Sequence, residues 1–171
     1  ELKEYEGKLA LVTGAGDGIG EMLARNLAAA GMRVCVQDIR LEAAERVASD
    51  IGGGAFPLAF DVSDRDACLS AAEKVGGQGP LNLLWINAGV GVGSPVLTGK
   101  ANAIEWGFDV NVRGVIWTAQ AFVPLMEAAN GACHVGVTAS SASLRSPEGA
   151  FPLYATTKHG PFAGGEALKG E

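Results

Sequence analysis

The sequence predicts an α/β fold, a doubly wound parallel sheet in the order 3-2-1-4-5, and three observations lead there. Apolar runs without polar alternation, Leu9 to Val12 above all, suit strands covered by helices on both faces. These runs alternate along the chain with segments of helical periodicity, and crossovers of that length make right-handed βαβ units the default. The first run ends in glycines at 14, 16, 18 and 20, where the missing Cβ atoms let a strand turn sharply into a helix.

The elements follow in order. Residues 8–13 form the first strand, and a helix runs from about Ile19 to Ala30 on a face of Met22, Leu23, Asn26, Leu27 and Ala30, stopped by Gly31. Arg33 to Asp38 is the second strand; the helix Leu41 to Ile51 ends in three glycines. A third strand, Ala55 to Asp61, precedes an amphipathic helix with Ser63 or Asp64 as N-cap. After Pro80 comes a fourth strand, Asn82 to Ile86, then a Gly-, Ser- and Pro-rich loop over 89–99. A long helical region from about Ala103 to Ala129, its apolar pattern broken near Asp109 to Asn111, leads to a fifth strand from Cys133 to Ala139. The last helix begins near Tyr154. Pro161, with Gly160, Gly164 and Gly165 beside it, is expected to kink or fray that helix beyond Lys158, since an interior proline costs about 3 kcal/mol. In this topology the ligand crevice opens between strands 1 and 4, lined by the loops after Thr13, Asp61, Ile86 and Ala139.

Composition narrows the function. The 171 residues form one domain, 1–171, with no shift in composition to divide it, and the net charge of −6 argues against nucleic acid or an anionic membrane as partner. No apolar run is long enough to span a bilayer, and the opening Glu-Leu-Lys-Glu lacks a signal peptide's apolar centre. The expectation is a cytoplasmic protein with a small-molecule partner. Cys35, Cys68 and Cys133 are isolated and read as free thiols, with Cys35 and Cys133 in buried strands; no metal-ligand spacing occurs.

Three groups of residues carry chemistry. The glycines do not fit G-x-G-x-x-G, because Ile19 stands where the third glycine would fall; what fits is Thr13-Gly14-x-x-x-Gly18-x-Gly20, a turn whose helix amides suit a pyrophosphate. About twenty residues on, Asp38 closes the second strand where a carboxylate meets the adenosine ribose hydroxyls and repels a 2′-phosphate. Asp17 adds a second negative charge, so NAD is favoured over NADP, with Arg40 the one nearby cation. Asp61, followed by Val62 and Ser63, either bonds an adenine amino group or caps the next helix. Asn87-Ala88-Gly89 closes strand 4, where glycine admits close backbone approach and asparagine bonds its neighbours. Finally, Ser141 precedes Tyr154-Ala-Thr-Thr-Lys158 by thirteen positions. Tyrosine and lysine at i and i+4 share a helix face, and an ammonium beside a phenol favours the phenolate, making an acid/base.

Taken together, Thr13-Gly14-x-x-x-Gly18-x-Gly20, Asn87-Ala-Gly89, Asn111, Ser141 and Tyr154-x-x-x-Lys158 resemble the short-chain dehydrogenase/reductase family, in order and spacing, over essentially the whole chain. The resemblance implies a Rossmann-like oxidoreductase acting on a secondary alcohol or ketone. Tyr154 is then the acid/base, Ser141 positions the substrate oxygen, Lys158 holds the nicotinamide ribose and tunes the tyrosine, and Asn111 anchors a water in the proton relay. The cofactor-binding set becomes Thr13, Gly14, Gly16, Asp17, Gly18, Ile19, Gly20, Asp38, Asp61, Val62, Asn87, Ala88 and Gly89, with Tyr154 and Lys158. Two departures stand out: Ile86 replaces the family's first asparagine of Asn-Asn-Ala-Gly, and Leu144 replaces a frequent glycine on the substrate side. Leu144, Phe151 and Val90 give a partly apolar substrate side. The chain ends inside the helix that in the family crosses to a sixth strand, so strands 6 and 7 are missing and a longer enzyme is expected. Trp106, Phe108, Trp117 and Phe122 are expected mostly in the core, with part of that helix contacting a twofold mate in a homodimer or homotetramer. Two other readings stay open here: a dinucleotide-binding module without turnover, and lyase or epimerase chemistry on the same scaffold.

Overall fold

The computed structural model describes residues 2–129, 131–145 and 152–168. Five strands, β1 (Leu9–Val12), β2 (Arg33–Asp38), β3 (Phe56–Ala59), β4 (Leu81–Ile86) and β5 (His134–Val137), form one sheet in the order β3-β2-β1-β4-β5. All pairs are parallel, and Val12 lies opposite both Val36 and Trp85. Among the described residues six α-helices connect and cover it: α1 (Gly18–Ala29), α2 (Leu41–Ile51), α3 (Arg65–Gly76), α4 (Ala101–Phe108), α5 (Gly114–Glu127) and α6 (Pro152–Ala167). This is the Rossmann-like topology expected, with its crevice where the strand order reverses between β1 and β4.

Side-chain alternation explains why β1 is apolar throughout. Leu9 and Leu11 enter one core with Cys35, Leu84 and Phe122, while Ala10 and Val12 enter the other with Val34, Val36, Leu27 and Val47. Each fully buried aliphatic or aromatic side chain there contributes about 1.5 to 3 kcal/mol. Phe60 stacks on Phe122 at 5.8 Å between ring centres.

The structure sharpens some expectations and corrects others. Helix α1 starts at Gly18, one residue early, because the extended Asp17 places its carboxylate to accept from the Gly18 N–H at 2.7 Å. Strand β3 stops at Ala59, the partner of Asp38 where β2 ends, so Asp61 lies beyond the ladder. The cap of α3 is Asp64, whose side chain accepts from the Asp66 and Ala67 amides. The break in the long helical region is a π-helical segment, Asp109–Arg113, joining α4 to α5. Trp106 is half exposed on α4, at 50%, rather than in the core. Cys133 precedes β5 and is exposed. Cys35 and Cys68 are buried; desolvation pushes both thiols up, Cys68 to about 11.

Helix α6 does not fray beyond Lys158 but continues through Pro161 to Ala167. Packing overrides propensity here. Pro161 is buried, and α6 sits so close to the π segment that a Cβ on Gly160 would lie 2.9 Å from Val112 Cγ2. The Thr157 carbonyl nonetheless lacks its helical donor, because proline has no N–H.

Candidate active site

The glycine turn is held from beneath by the end of β2. Three successive amides are tied down: Gly14 N–H donates to Gln37 Oε1 at 3.1 Å, Ala15 N–H to the Gln37 carbonyl at 2.6 Å, and Gly16 N–H to Asp38 Oδ2 at 3.1 Å. Gln37 in turn donates through Nε2 to the Phe60 carbonyl at 2.6 Å. Space, as well as hydrogen bonding, requires glycine here. A Cβ on Gly16 would fall 2.6 Å from Asp38 Oδ2, and one on Gly20 would collide with the Gly14 carbonyl. Gly18 has φ +55, left-handed backbone that glycine adopts without strain.

Asp38 is buried, with Oδ1 accepting from the Arg40 N–H at 3.0 Å and from Arg40 Nε at 3.3 Å. Above β1 and β4 a second latch closes the switch point. Thr13 Oγ1 accepts from the Asn87 and Ala88 amides at 2.9 and 3.1 Å, and Asn87 Nδ2 donates to the Thr13 and Gly14 carbonyls at 3.0 and 3.3 Å. The buried Thr13 and the Asn87 side chain therefore lock the two strands whose ends flank the crevice.

The far wall is built by the π segment and α6. Asn111 is fully buried: Oδ1 accepts from the Val90 N–H at 2.8 Å, while Nδ2 donates to the Val90 carbonyl at 2.9 Å and to Thr157 Oγ1 at 2.8 Å. Thr157 Oγ1 donates onward to the Tyr154 carbonyl at 2.9 Å. One turn later Lys158, only 5% exposed, places Nζ 6.0 Å from the centre of the Tyr154 ring. Burial pushes its ammonium below the usual lysine range. A Cβ on Gly89 would lie 2.7 Å from that Nζ.

These pieces enclose one cavity of about 830 Å³, within the size range of small-molecule sites. It brings together Gly14, Asp17, Gly18, Ile19, Asp38, Asn87, Ala88, Gly89, Tyr154 and Lys158. Other expected residues stand behind it: Thr13, Gly16, Gly20 and Asn111 act through the contacts above. Asp61 and Val62 do not line it. The Asp61 carboxylate accepts from the Ser63 amide and hydroxyl at 2.9 and 2.7 Å, and Val62 packs against Gly114. Ser141 is exposed on a short 3₁₀ turn, Ser141–Ser143, that follows β5. Phe151 falls outside the described residues. Gln37 was missed by the sequence reading, although a polar residue between Val36 and Asp38 in a buried strand is a signal for it. Among the described residues no group of three or more His, Cys, Asp or Glu could hold a metal, and no helix is long and apolar enough to cross a membrane.

Residues 8–164 match the short chain dehydrogenase family. The chain belongs to that family. Estradiol 17-beta-dehydrogenase 11 of Mus musculus is 35% identical over 144 residues, which are 82% of this chain and 48% of that one. Sorbitol dehydrogenase of Cereibacter sphaeroides is 33% identical over 156 residues, 90% of this chain and 60% of its own. A short-chain dehydrogenase/reductase from Burkholderia phymatum, solved in complex with NAD, aligns with a TM-score of 0.90 at 34% identity, covering 96% of this chain and 60% of that one. The chain thus spans about half to three fifths of the length of these relatives. Within this short-chain dehydrogenase, the family's departures find physical places: Ile86 is 2% exposed in the core beside β1, and Leu144 is 72% exposed beyond the serine turn.

Proposed function

We propose that the protein moves a hydride between NAD and a secondary alcohol or its ketone, with Tyr154 as acid/base. The observation that carries this reading is the buried Lys158 beside Tyr154, in the same cavity as the glycine turn and Asp38. Tyr154 accepts the substrate hydroxyl proton in oxidation and returns it in reduction, with the Lys158 ammonium as the positive charge nearby, 6.0 Å from the ring centre. Ser141 holds the substrate oxygen, and Lys158 also meets the ribose hydroxyls. When bound, NAD supplies the hydride acceptor. Asn111 fixes the Val90 segment against α6 and so holds the proton route in place.

The residues fit a dinucleotide. Gly16 and Gly20 clear Cβ atoms from the turn, and a Cβ on Gly18 would meet nothing within 4 Å, leaving open space over the first turn of α1, where backbone amides favour an anion. Gly14, Asp17, Gly18, Ile19, Asn87, Ala88 and Gly89 would hold NAD, with Asp38 at the adenosine ribose. Preference for NAD over NADP follows from charge: Asp38 and Asp17 present carboxylates, and Arg40 is paired with Asp38 at 3.3 Å. A homodimer or homotetramer is part of the same reading, with the exposed Ile116 of α5 and Phe162 of α6 at the contact.

The test is the growth of reduced-nicotinamide absorbance across a panel of secondary alcohols, with calorimetric NAD binding alongside. Tyr154→Phe loses turnover and keeps NAD affinity. An unaffected Tyr154→Phe enzyme, or NAD binding by the wild type without turnover of any alcohol or ketone, overturns the reading.

A further inference from the structure

The 3₁₀ turn after β5 carries a buried hydroxyl for which the proposed reaction has no use. Ser141 and Leu144 face solvent, but Ser143 between them is 3% exposed. Its Oγ accepts from the Ser140 N–H at 3.2 Å and donates to the Lys158 carbonyl at 2.6 Å, fifteen positions away. One oxygen therefore ties the start of the Ser141 turn to the turn of α6 that bears Lys158.

That part of α6 lies just ahead of its weakest point. Pro161 leaves the Thr157 carbonyl without a helical donor, and Gly160 lacks a side chain to stiffen the backbone. The carbonyls of both Tyr154 and Lys158 are gripped by buried hydroxyls, Thr157 Oγ1 on the first and Ser143 Oγ on the second. The Thr157 grip leads back to Asn111. The Ser143 grip leads to Ser141.

We propose that Ser143 is a positioning residue, setting the Ser141 turn at a fixed distance from the Tyr154–Lys158 turn. This rests on the function proposed above. A group that holds two reacting side chains in register is felt chiefly in turnover, because a misplacement of about 1 Å costs up to 10²-fold. Nucleotide affinity changes far less than turnover, since the glycine turn is held separately by Gln37 and Asp38 and only the Lys158 contact with the ribose is disturbed.

The experiment compares wild type with Ser143→Ala in the full chain. It measures alcohol turnover with NAD, NAD affinity by calorimetry, and the titration of Lys158 by ¹³C NMR of the reductively methylated protein, assigned with Lys158→Arg. Ser143→Ala lowers kcat by about tenfold to a hundredfold, a larger loss than that in NAD affinity. It also moves the Lys158 titration up toward the ordinary lysine range, as the loosened turn admits water. Unchanged kcat together with an unchanged Lys158 titration overturns the positioning role. If the wild type shows no turnover, the functional reading fails by itself, and the Lys158 titration alone decides this one: a shift supports it and no shift overturns it. If Ser143→Ala loses its thermal transition, Ser143→Cys, close in volume and a weak donor, is measured against the same outcomes.

Discussion

The N–H of Gly16 donates to Asp38 Oδ2 at 3.1 Å, and a Cβ on Gly16 would sit 2.6 Å from that same oxygen and 2.8 Å from the Ala43 Cβ. Two features that look separate in the sequence, a turn glycine and a strand-end acid 22 positions later, form one unit. The acid satisfies the turn's amide, and the missing Cβ leaves room for the acid. A dinucleotide site built this way depends on both.

Gly16→Ala therefore pushes Asp38 or the turn out of place. We expect NAD affinity to fall at least about tenfold, which corresponds to about 1.4 kcal/mol, with the fold retained because both groups lie at the sheet's end. Calorimetric titration with NAD measures this. An affinity equal to wild type would show that the turn can shift freely.

Asp38→Asn keeps an acceptor for the Gly16 amide but removes the charge. The ratio of kcat/KM for NADP to that for NAD should rise by tenfold or more, on the order of one close charge–charge term at a partly screened site. Arg40, released from its pairing with Asp38, becomes available to a 2′-phosphate. A ratio unchanged by the substitution would remove Asp38 from nucleotide selection.

Much of this was legible beforehand because it rests on local periods and fixed spacings. The strand order, the glycine turn, the Tyr154–Lys158 pair and the break around Asn111 all depend on residues near one another in sequence. What escaped depends on long-range contact. Gln37 supports Gly14 from 23 positions away and Ser143 reaches Lys158 from 15, and no local pattern marks either pairing. Pro161 misled for the opposite reason: local propensity predicts a kink or fraying beyond Lys158, but α6 runs on unfrayed to Ala167, with Gly160 against Val112 and Pro161 buried. Asp61 was read as an adenine contact or a helix cap, yet its carboxylate is engaged by Ser63 two residues on. The cap is Asp64 instead, and Asp61 lies past the end of β3, since β2 has no partner for it beyond Ala59.

The Glu21 carboxyl gives a pH prediction. Hydrogen bonds from Arg46 and Arg25 hold it at about 2, against an ordinary 4.5. Since the folded-state value is the lower one, its stabilising contribution is complete above about pH 4.5 and is lost as pH falls toward 2. Arg46 also donates to the Gly16 carbonyl at 2.9 Å, so the loss reaches the glycine turn. Denaturant unfolding at pH 5 and pH 3 should show a smaller fall for Glu21→Gln than for wild type. Equal falls in the two proteins would mean that the carboxylate adds nothing in the folded state.

Gly89, one of the residues proposed to hold NAD, tests the geometry around Lys158. Its backbone lies outside the left-handed region, so alanine is permitted by conformation, and the obstacle is only space. A Cβ would stand 2.7 Å from Lys158 Nζ and 3.1 Å from Asn111 Oδ1. The ammonium is the far end of a flexible side chain and can yield, whereas Asn111 is held by three hydrogen bonds and cannot. The strain therefore falls on Lys158, whose Nζ must leave its place near the Tyr154 ring. Gly89→Ala should keep a thermal midpoint within a few degrees of wild type, as expected for a cost of about 1 kcal/mol, and lose about tenfold to a hundredfold in kcat. Turnover matching wild type would show that the position of Lys158 Nζ over this cavity does not govern the reaction.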